Sequence, residues 1–113
     1  MILAMIIWLH LSGGIAGIND EVSVADGRVK VHRGKQRCEF DLSDRDRDRL
    51  AQALRYARPD DWKPAYDEGV PCADCIVHTL QVGDRTVSWS LGKKLPKDAK
   101  AVADVLEDMM HCQ

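Results

Sequence analysis

Four cysteines are the residues whose type and spacing point most directly to chemistry. Cys72 and Cys75 form a C-x-x-C pair, which is half of a typical structural zinc site. No second pair accompanies it, so a zinc ion would need His78 and His111 as further ligands. A redox pair would need a helix N-terminus, where the dipole lowers the pKa of a thiol. This pair precedes a strand-like segment instead, so a small cysteine-based metal-binding or redox module is the less favoured interpretation.

Disulfide bonds explain the same cysteines more simply, because four is an even number and allows three connectivities. Cys38 lies on the apolar face of a predicted strand, and Cys112 follows Met109 on the apolar stripe of the last predicted helix. These two cysteines could meet across the core, which would leave Cys72 to pair locally with Cys75. Disulfides persist in oxidising compartments. If they form, the protein is exported or periplasmic; four reduced thiols would fit the cytoplasm, and the localisation stays open.

Motifs for catalysis are missing from the sequence. The chain contains no H-E-x-x-H, no G-x-S-x-G and no phosphate-binding loop. His78 shares a face with Ile76 and Leu80, which is more typical of a core or edge histidine than of a metal ligand. We therefore predict a protein that is not an enzyme and that has no catalytic residues, no metal and no cofactor.

Length and composition predict a single domain over residues 1–113. A chain of this length can bury enough surface to form a stable core without disulfide bonds or metal ions. Its 45% apolar and 30% charged residues are typical of a globular domain. The net charge of −2 and the 5% of aromatic residues provide neither a basic surface nor a stacking platform for nucleic acid. We expect a monomer that binds no nucleic acid.

The first eleven residues, MILAMIIWLHL, are strongly apolar. A bilayer span needs about 20 residues, so no membrane span is predicted. No basic residue precedes the run, and no clear small-residue cleavage site follows it. The favoured interpretation is a central strand that is buried on both faces, and the alternative is a remnant of an export signal.

Apolar periodicity along the chain predicts an α+β fold. Alternation with period two predicts strands, and the spacing i, i+3, i+4, i+7 predicts helices. Ser43 is a suitable helix N-cap, and Asp26-Gly27 is a strong hairpin signal. The expected order is ββββ-α-ββ-α, an antiparallel sheet packed by two helices, with strands at 2–11, 21–25, 28–32, 37–42, 76–82 and 85–91 and helices at about 44–57 and 96–111. This register places Trp89 on the buried face.

Two segments between these elements are candidates for a binding surface. In LSGGIAGIND, residues 11–20, three glycines occupy five positions, and glycine permits positive φ and close backbone approach. Ile15 and Ile18 in this bend either tuck back onto the core or fit the groove of a partner. The second segment is the acidic connection 58–74, in which Trp62 and Tyr66 are apolar anchors. Loops of this length in small domains are often functional.

The glycine-rich bend also carries a family resemblance. A strand that runs into SGGIAGI near the N-terminus resembles emfourin, a small bacterial protein inhibitor of the thermolysin-like zinc metalloprotease protealysin. The likeness continues through DRLAQALRYA, DCIVHTLQVG, RTVSWSL and the final LPKDAKAVADVLEDM, and so covers nearly the whole chain. The chain departs from the family pattern in its four cysteines and in an additional DGRVKVHRGKQ section.

The resemblance implies a protein inhibitor that blocks the active-site cleft of a thermolysin-like metalloprotease. The resemblance and the two segments together predict which residues contact the protease. These residues are Ser12, Gly13, Gly14, Ile15, Ala16, Gly17, Ile18, Trp62 and Tyr66. A rigid inserted segment loses little entropy on binding, and an oxidised Cys72–Cys75 pair would stiffen the long connection. The alternative function is that of a non-inhibitory interaction or accessory domain of an exported protein.

Overall fold

A computed structural model describes residues 5–66, 74–90 and 94–112. It confirms the predicted α+β class and the predicted order of elements. A short 3-10 helix at Pro59–Asp61 lies in the connection after the first helix. The strands are β1 (Ile7–Gly13), β2 (Ile18–Ala25), β3 (Arg28–Arg33), β4 (Gln36–Asp41), β5 (Ile76–Val82) and β6 (Arg85–Trp89), and the helices are α1 (Asp44–Tyr56) and α2 (Lys97–Asp108).

All six strands belong to one antiparallel sheet in the order β4-β3-β2-β1-β5-β6. Strand β1 is central and pairs with both β2 and β5 along its whole length. The predicted second strand starts at residue 21, but β2 starts at Ile18, because the ladder with β1 continues to the pair Gly13–Ile18. The end of β1 that carries the bend is therefore held on both sides.

Both helices cover the same face of the sheet. The side chain of Ser43 accepts a hydrogen bond from the backbone nitrogen of Asp46 and starts α1, as its sequence position predicts. Helix α2 packs on β1, β2 and α1. The core between sheet and helices includes the fully buried Leu9, Leu80 and Leu106. Trp89 is 7% exposed, which confirms the predicted register of β6.

No described helix covers the opposite face of the sheet, which we call the open face. Ile7 and Leu9 point into the core, whereas Trp8 and His10 alternate with them and are only half-buried. The prediction that the first strand is buried on both faces is therefore wrong. The helices cover one face only, and the apolar character of residues 1–11 does not reveal which face that is. In the described part of the chain, no helix has the length and apolar character that crossing a membrane requires.

A disulfide joins Cys38 in β4 to Cys112 after α2, as predicted. It closes a loop with a sequence separation of 74 residues. In the chain-entropy model a loop of this length stabilises the fold by about 4 kcal/mol. Cys75 is also disulfide-bonded, whereas Cys72, its predicted partner, lies outside the described residues. Because Cys38, Cys75 and Cys112 are oxidised, they offer no thiolates for a zinc site.

Candidate functional site

The glycine-rich bend is a short hairpin loop at one end of the sheet. The last ladder pair is Gly13–Ile18, so only residues 14–17 lie outside the strands. The backbone nitrogen of Gly17 donates to the carbonyl oxygen of Gly14 at 3.2 Å, which closes a β-turn. We call residues 13–18 the hairpin tip.

Two glycines of the hairpin tip have positive φ and also lie beside the chain that enters β5. Gly13 has φ +99° and Gly14 has φ +75°, which lie in the region that side chains with a Cβ rarely adopt. A Cβ on Gly13 would lie 3.4 Å from the carbonyl oxygen of Cys75, and one on Gly14 would lie 3.5 Å from Cγ1 of Ile76. The hairpin tip thus runs close to the chain that enters β5.

Ile15 stands at the apex of the hairpin tip, and 86% of it is exposed. Ala16 and Gly17 are also exposed, whereas Ser12 and Ile18 are partly buried. Of the two options open to Ile15, tucking onto the core is therefore excluded in this structure. A large apolar side chain held in water at a loop apex is available for contact with another protein.

The two predicted contact segments meet at the hairpin tip. The end of the long connection, at Asp74 and Cys75, lies beside Gly13 and Gly14. Residues 67–73 of the connection lie outside the described residues. A partner that contacts the hairpin tip would therefore also meet the entry to β5.

Trp62 and Tyr66 anchor the first part of the connection instead of presenting it to a partner. Trp62 is 8% exposed, and its indole nitrogen donates to Oδ2 of Asp98 at 3.0 Å. Tyr66 is partly buried, and its hydroxyl accepts from the backbone nitrogen of Lys63. The backbone of Tyr66 also donates to Ser88, so this segment lies along the edge of β6. Little of the Trp62 ring is therefore left for protease contact, and the Tyr66 ring is partly covered.

Asp98 near the start of α2 is the carboxylate that organises this anchor. Burial of the carboxylate raises its pKa, but hydrogen bonds from the backbone of Arg58 and the indole of Trp62, with others from the helix start, outweigh burial. The net result is a pKa below the ordinary value of 3.8. Asp98 is therefore a structural anion that joins the connection to α2.

His78 is the candidate ligand that the structure places most clearly in a packing role. Its ring stacks on Trp89, with centroids 5.1 Å apart. Its Nε2 lies 3.8 Å from Oε1 of Glu107, and its Nδ1 is buried without a hydrogen-bond partner in the described structure. No group of three or more metal-ligating residues occurs within residues 5–66, 74–90 and 94–112.

Sequence reasoning missed the polar character of the open face. The indole nitrogen of Trp8 donates to Oε2 of Glu21 at 3.2 Å, and the ring of Trp8 stacks on His10. His10 in turn bonds Oδ1 of Asn19, next to the hairpin tip. The signal that could have revealed this face is the alternation of Trp8 and His10 with Ile7 and Leu9.

Comparisons with protein-family models, with curated proteins and with solved structures gave no match to this chain. The residues themselves therefore carry the functional conclusion. The hairpin tip contains no ionisable side chain, so it can bind but cannot transfer protons or attack a substrate. Its chemistry is that of an apolar contact surface on a firmly held backbone.

Proposed function

We propose that this protein is an inhibitor of a thermolysin-like zinc metalloprotease and that the hairpin tip enters the active-site cleft. The observation that carries the proposal is Ile15, 86% exposed at the apex of a loop whose flanking strands are paired. The resemblance of SGGIAGI to emfourin supplies the class of target. Packing among the described residues does not account for an isoleucine in this position.

Strand pairing preorganises the hairpin tip for insertion. β1 is bonded to β2 on one side and to β5 on the other up to Gly13. A segment that is ordered before it binds loses less conformational entropy in the complex. Protease–inhibitor contacts bury about 1,600 Å² in total, so four loop residues are too few. We infer that the entry to β5 completes the contact surface.

The disulfides support a location for this function. The bond between Cys38 and Cys112 persists only where thiols are kept oxidised. We therefore propose that the protein acts in an exported or periplasmic compartment. A cytoplasmic location would require the same fold without this bond.

Titration of residual protease activity against the purified protein tests the proposal. We expect stoichiometric loss of activity with at least one thermolysin-like protease. In the variant Ile15→Asp the inhibition constant should rise about 10–100-fold from lost apolar burial alone. The unpaired carboxylate should weaken binding further.

Ile6→Asp is the matched control. Ile6 is 50% exposed and lies at the other end of β1, next to Gly83. This variant makes the same isoleucine-to-aspartate change at a position outside the proposed contact. Its inhibition constant should therefore stay within about twofold of the wild type. No inhibition of several thermolysin-like proteases at high excess would overturn the function. Inhibition by Ile15→Asp equal to that of Ile6→Asp would overturn the hairpin tip as the contact.

A further inference from the structure

The outer edge of β4 is an unpaired sheet edge. β4 pairs with β3 on one side and has no partner strand on the other within the described residues. The two-residue turn after β3 makes Arg33 and Gln36 a hydrogen-bonded pair. The backbone nitrogen of Leu42 also donates to the carbonyl oxygen of Gly27, the residue before β3. Because backbone groups alternate in direction, those of Arg37, Glu39 and Asp41 point away from β3.

Charges along this edge form an antisymmetric pattern around Cys38. Lys35 and Arg37 precede it by three and one residues, and Glu39 and Asp41 follow it by one and three residues. In an antiparallel pair of identical strands, this pattern places opposite charges across from each other at every charged position. Self-complementarity of this kind is what a two-fold symmetric interface requires.

We propose that the outer edge of β4 binds a second copy of this chain, antiparallel and centred on Cys38, to form a continuous twelve-stranded sheet. Arg37 lies opposite Glu39 of the second copy, and Glu39 opposite its Arg37. At the ends of the paired edge, Lys35 in the turn before β4 lies near Asp41 of the second copy, and the reverse. The pairs between Arg37 and Glu39 are hydrogen-bonded pairs, because their backbone groups face outward.

The register follows from the sheet faces and the charges. Residues that lie opposite each other share a face, so each pair joins two odd-numbered or two even-numbered residues. Centring the pair on Glu39 or on Arg37 brings two like charges directly opposite each other, which destabilises a sheet. Centring on Cys38 avoids both clashes and leaves only complementary pairs.

The basic partners of these pairs are available. Arg37 is exposed, and neither Arg37 nor Lys35 has an ion pair among the described residues. Glu39 and Asp41 are bound by Arg28 on the open face, and their side chains stay 45% and 86% exposed. A carboxylate has several acceptor positions, so each can accept a second cation from the other copy.

The Cys38–Cys112 disulfide prepares this edge for pairing. It ties the middle of β4 to the end of the chain after α2, which opposes fraying of an edge strand. An edge of six residues buries less than the about 1,200 Å² of a standard stable interface. The dimer is therefore weak and concentration-dependent, and the monomer that the sequence predicts prevails at low concentration.

The dimer does not depend on the proposed inhibitory function. The hairpin tip lies between β1 and β2, which are separated from the outer edge of β4 by β3. A two-fold axis perpendicular to the sheet places the two hairpin tips at opposite ends of the joined sheet. Each copy can therefore bind its own partner.

Sedimentation equilibrium of the full chain from about 5 to 500 µM tests the dimer, a range chosen for a small interface. Arg37→Glu and Glu39→Arg each replace two attractive pairs with two repulsive ones. We expect the dissociation constant of the homodimer to rise about tenfold or more in each variant. An equimolar mixture of the two variants should form a heterodimer as tightly as the wild type. In that heterodimer the two substituted side chains face each other as one acidic–basic pair, and the unsubstituted Glu39 of one copy faces the unsubstituted Arg37 of the other as the second pair.

The matched control is Lys97→Glu, which makes the same charge change at the start of α2, where Lys97 is exposed. It should dimerise like the wild type. If Glu39→Arg does not fold, the pair Lys35→Glu and Asp41→Lys makes the same test at the ends of the paired edge. A monomer throughout the concentration range overturns the proposal. A dimer that persists unchanged in Arg37→Glu and Glu39→Arg overturns it as well, because association then uses another surface.

Discussion

Two tryptophan–histidine stacks lie on opposite faces of the same sheet. Trp89 stacks on His78 across β5 and β6, with centroids 5.1 Å apart, beneath the helices. Trp8 stacks on His10 within β1, with centroids 5.4 Å apart, on the open face. Trp89 is 7% exposed, whereas Trp8 is half-buried and bonded to the partly buried Glu21.

The two stacks differ in whether helices cover them. We expect this difference, and not the ring pair itself, to set how much each stack contributes to the free energy of unfolding. Only 7% of Trp89 is exposed, so removing its ring leaves a cavity under the helices. A stack on the open face loses only the area that it covers, because water can occupy the space. The open face is therefore free to carry polar groups such as His10 and Asn19 up to the hairpin tip.

The largest expected effect is that of Trp89→Ala. We expect this change to lower the free energy of unfolding by about 3–5 kcal/mol, the usual cost of truncating a buried aromatic residue. Denaturant titration with an unchanged slope measures it. A loss below about 1 kcal/mol would contradict the burial of Trp89.

A smaller effect is expected for Trp8→Ala on the open face. The same truncation should cost about 1–2 kcal/mol, because covered area is lost but no enclosed cavity forms. The measurement is the same denaturant titration, with Trp89→Ala as its reference. Equal losses in the two variants would mean that the two faces of the sheet are not energetically different.

The smallest expected effect is that of Asp98→Asn, which tests the polar anchor of the helix-covered side. Its side chain accepts from the indole of Trp62 and from the backbone of Arg58. We expect a loss of about 1 kcal/mol at neutral pH, because charge-assisted bonds become neutral ones.

The same variant has a defined pH dependence. The pKa of Asp98 is lower in the folded protein than its ordinary value of 3.8. As the pH falls, the unfolded chain therefore takes up the proton at a higher pH than the folded protein does. The stabilisation from this carboxylate is complete at pH values above the ordinary pKa of 3.8. It is lost as the pH falls through the lower, folded pKa. The stability difference between wild type and Asp98→Asn should shrink on acidification in this range, and a constant difference would contradict the assigned role.

Local signals in the sequence predicted most of the elements. The cap at Ser43, the turn at Asp26-Gly27 and the apolar alternation of β3 and β5 each depend on a few neighbouring residues. The ends of elements were less accurate. The last helix was predicted to reach His111 but ends at Asp108, because Met109 and Met110 bond back to carbonyls of the last turn.

Part of the candidate site was also predictable from sequence. Glycine at positions 13, 14 and 17 indicates positive φ, and all three have it. The exposure of Ile15 was left open, since it depends on which elements reach the end of the sheet. Trp62 was nominated for contact because of its loop, and its burial depends on Asp98, which lies 36 residues away along the chain.

The sequence alone predicted the α+β class, the order of the elements and the Cys38–Cys112 pairing. Periodicity, caps and turn residues act within a few residues, so they are visible in the linear order. Long-range packing settled which face of β1 is covered, that Ile15 stands in water and that no described strand pairs with the outer edge of β4. These outcomes depend on how distant segments pack. A residue's burial is set by its neighbours in space, and the linear order of residues does not name those neighbours.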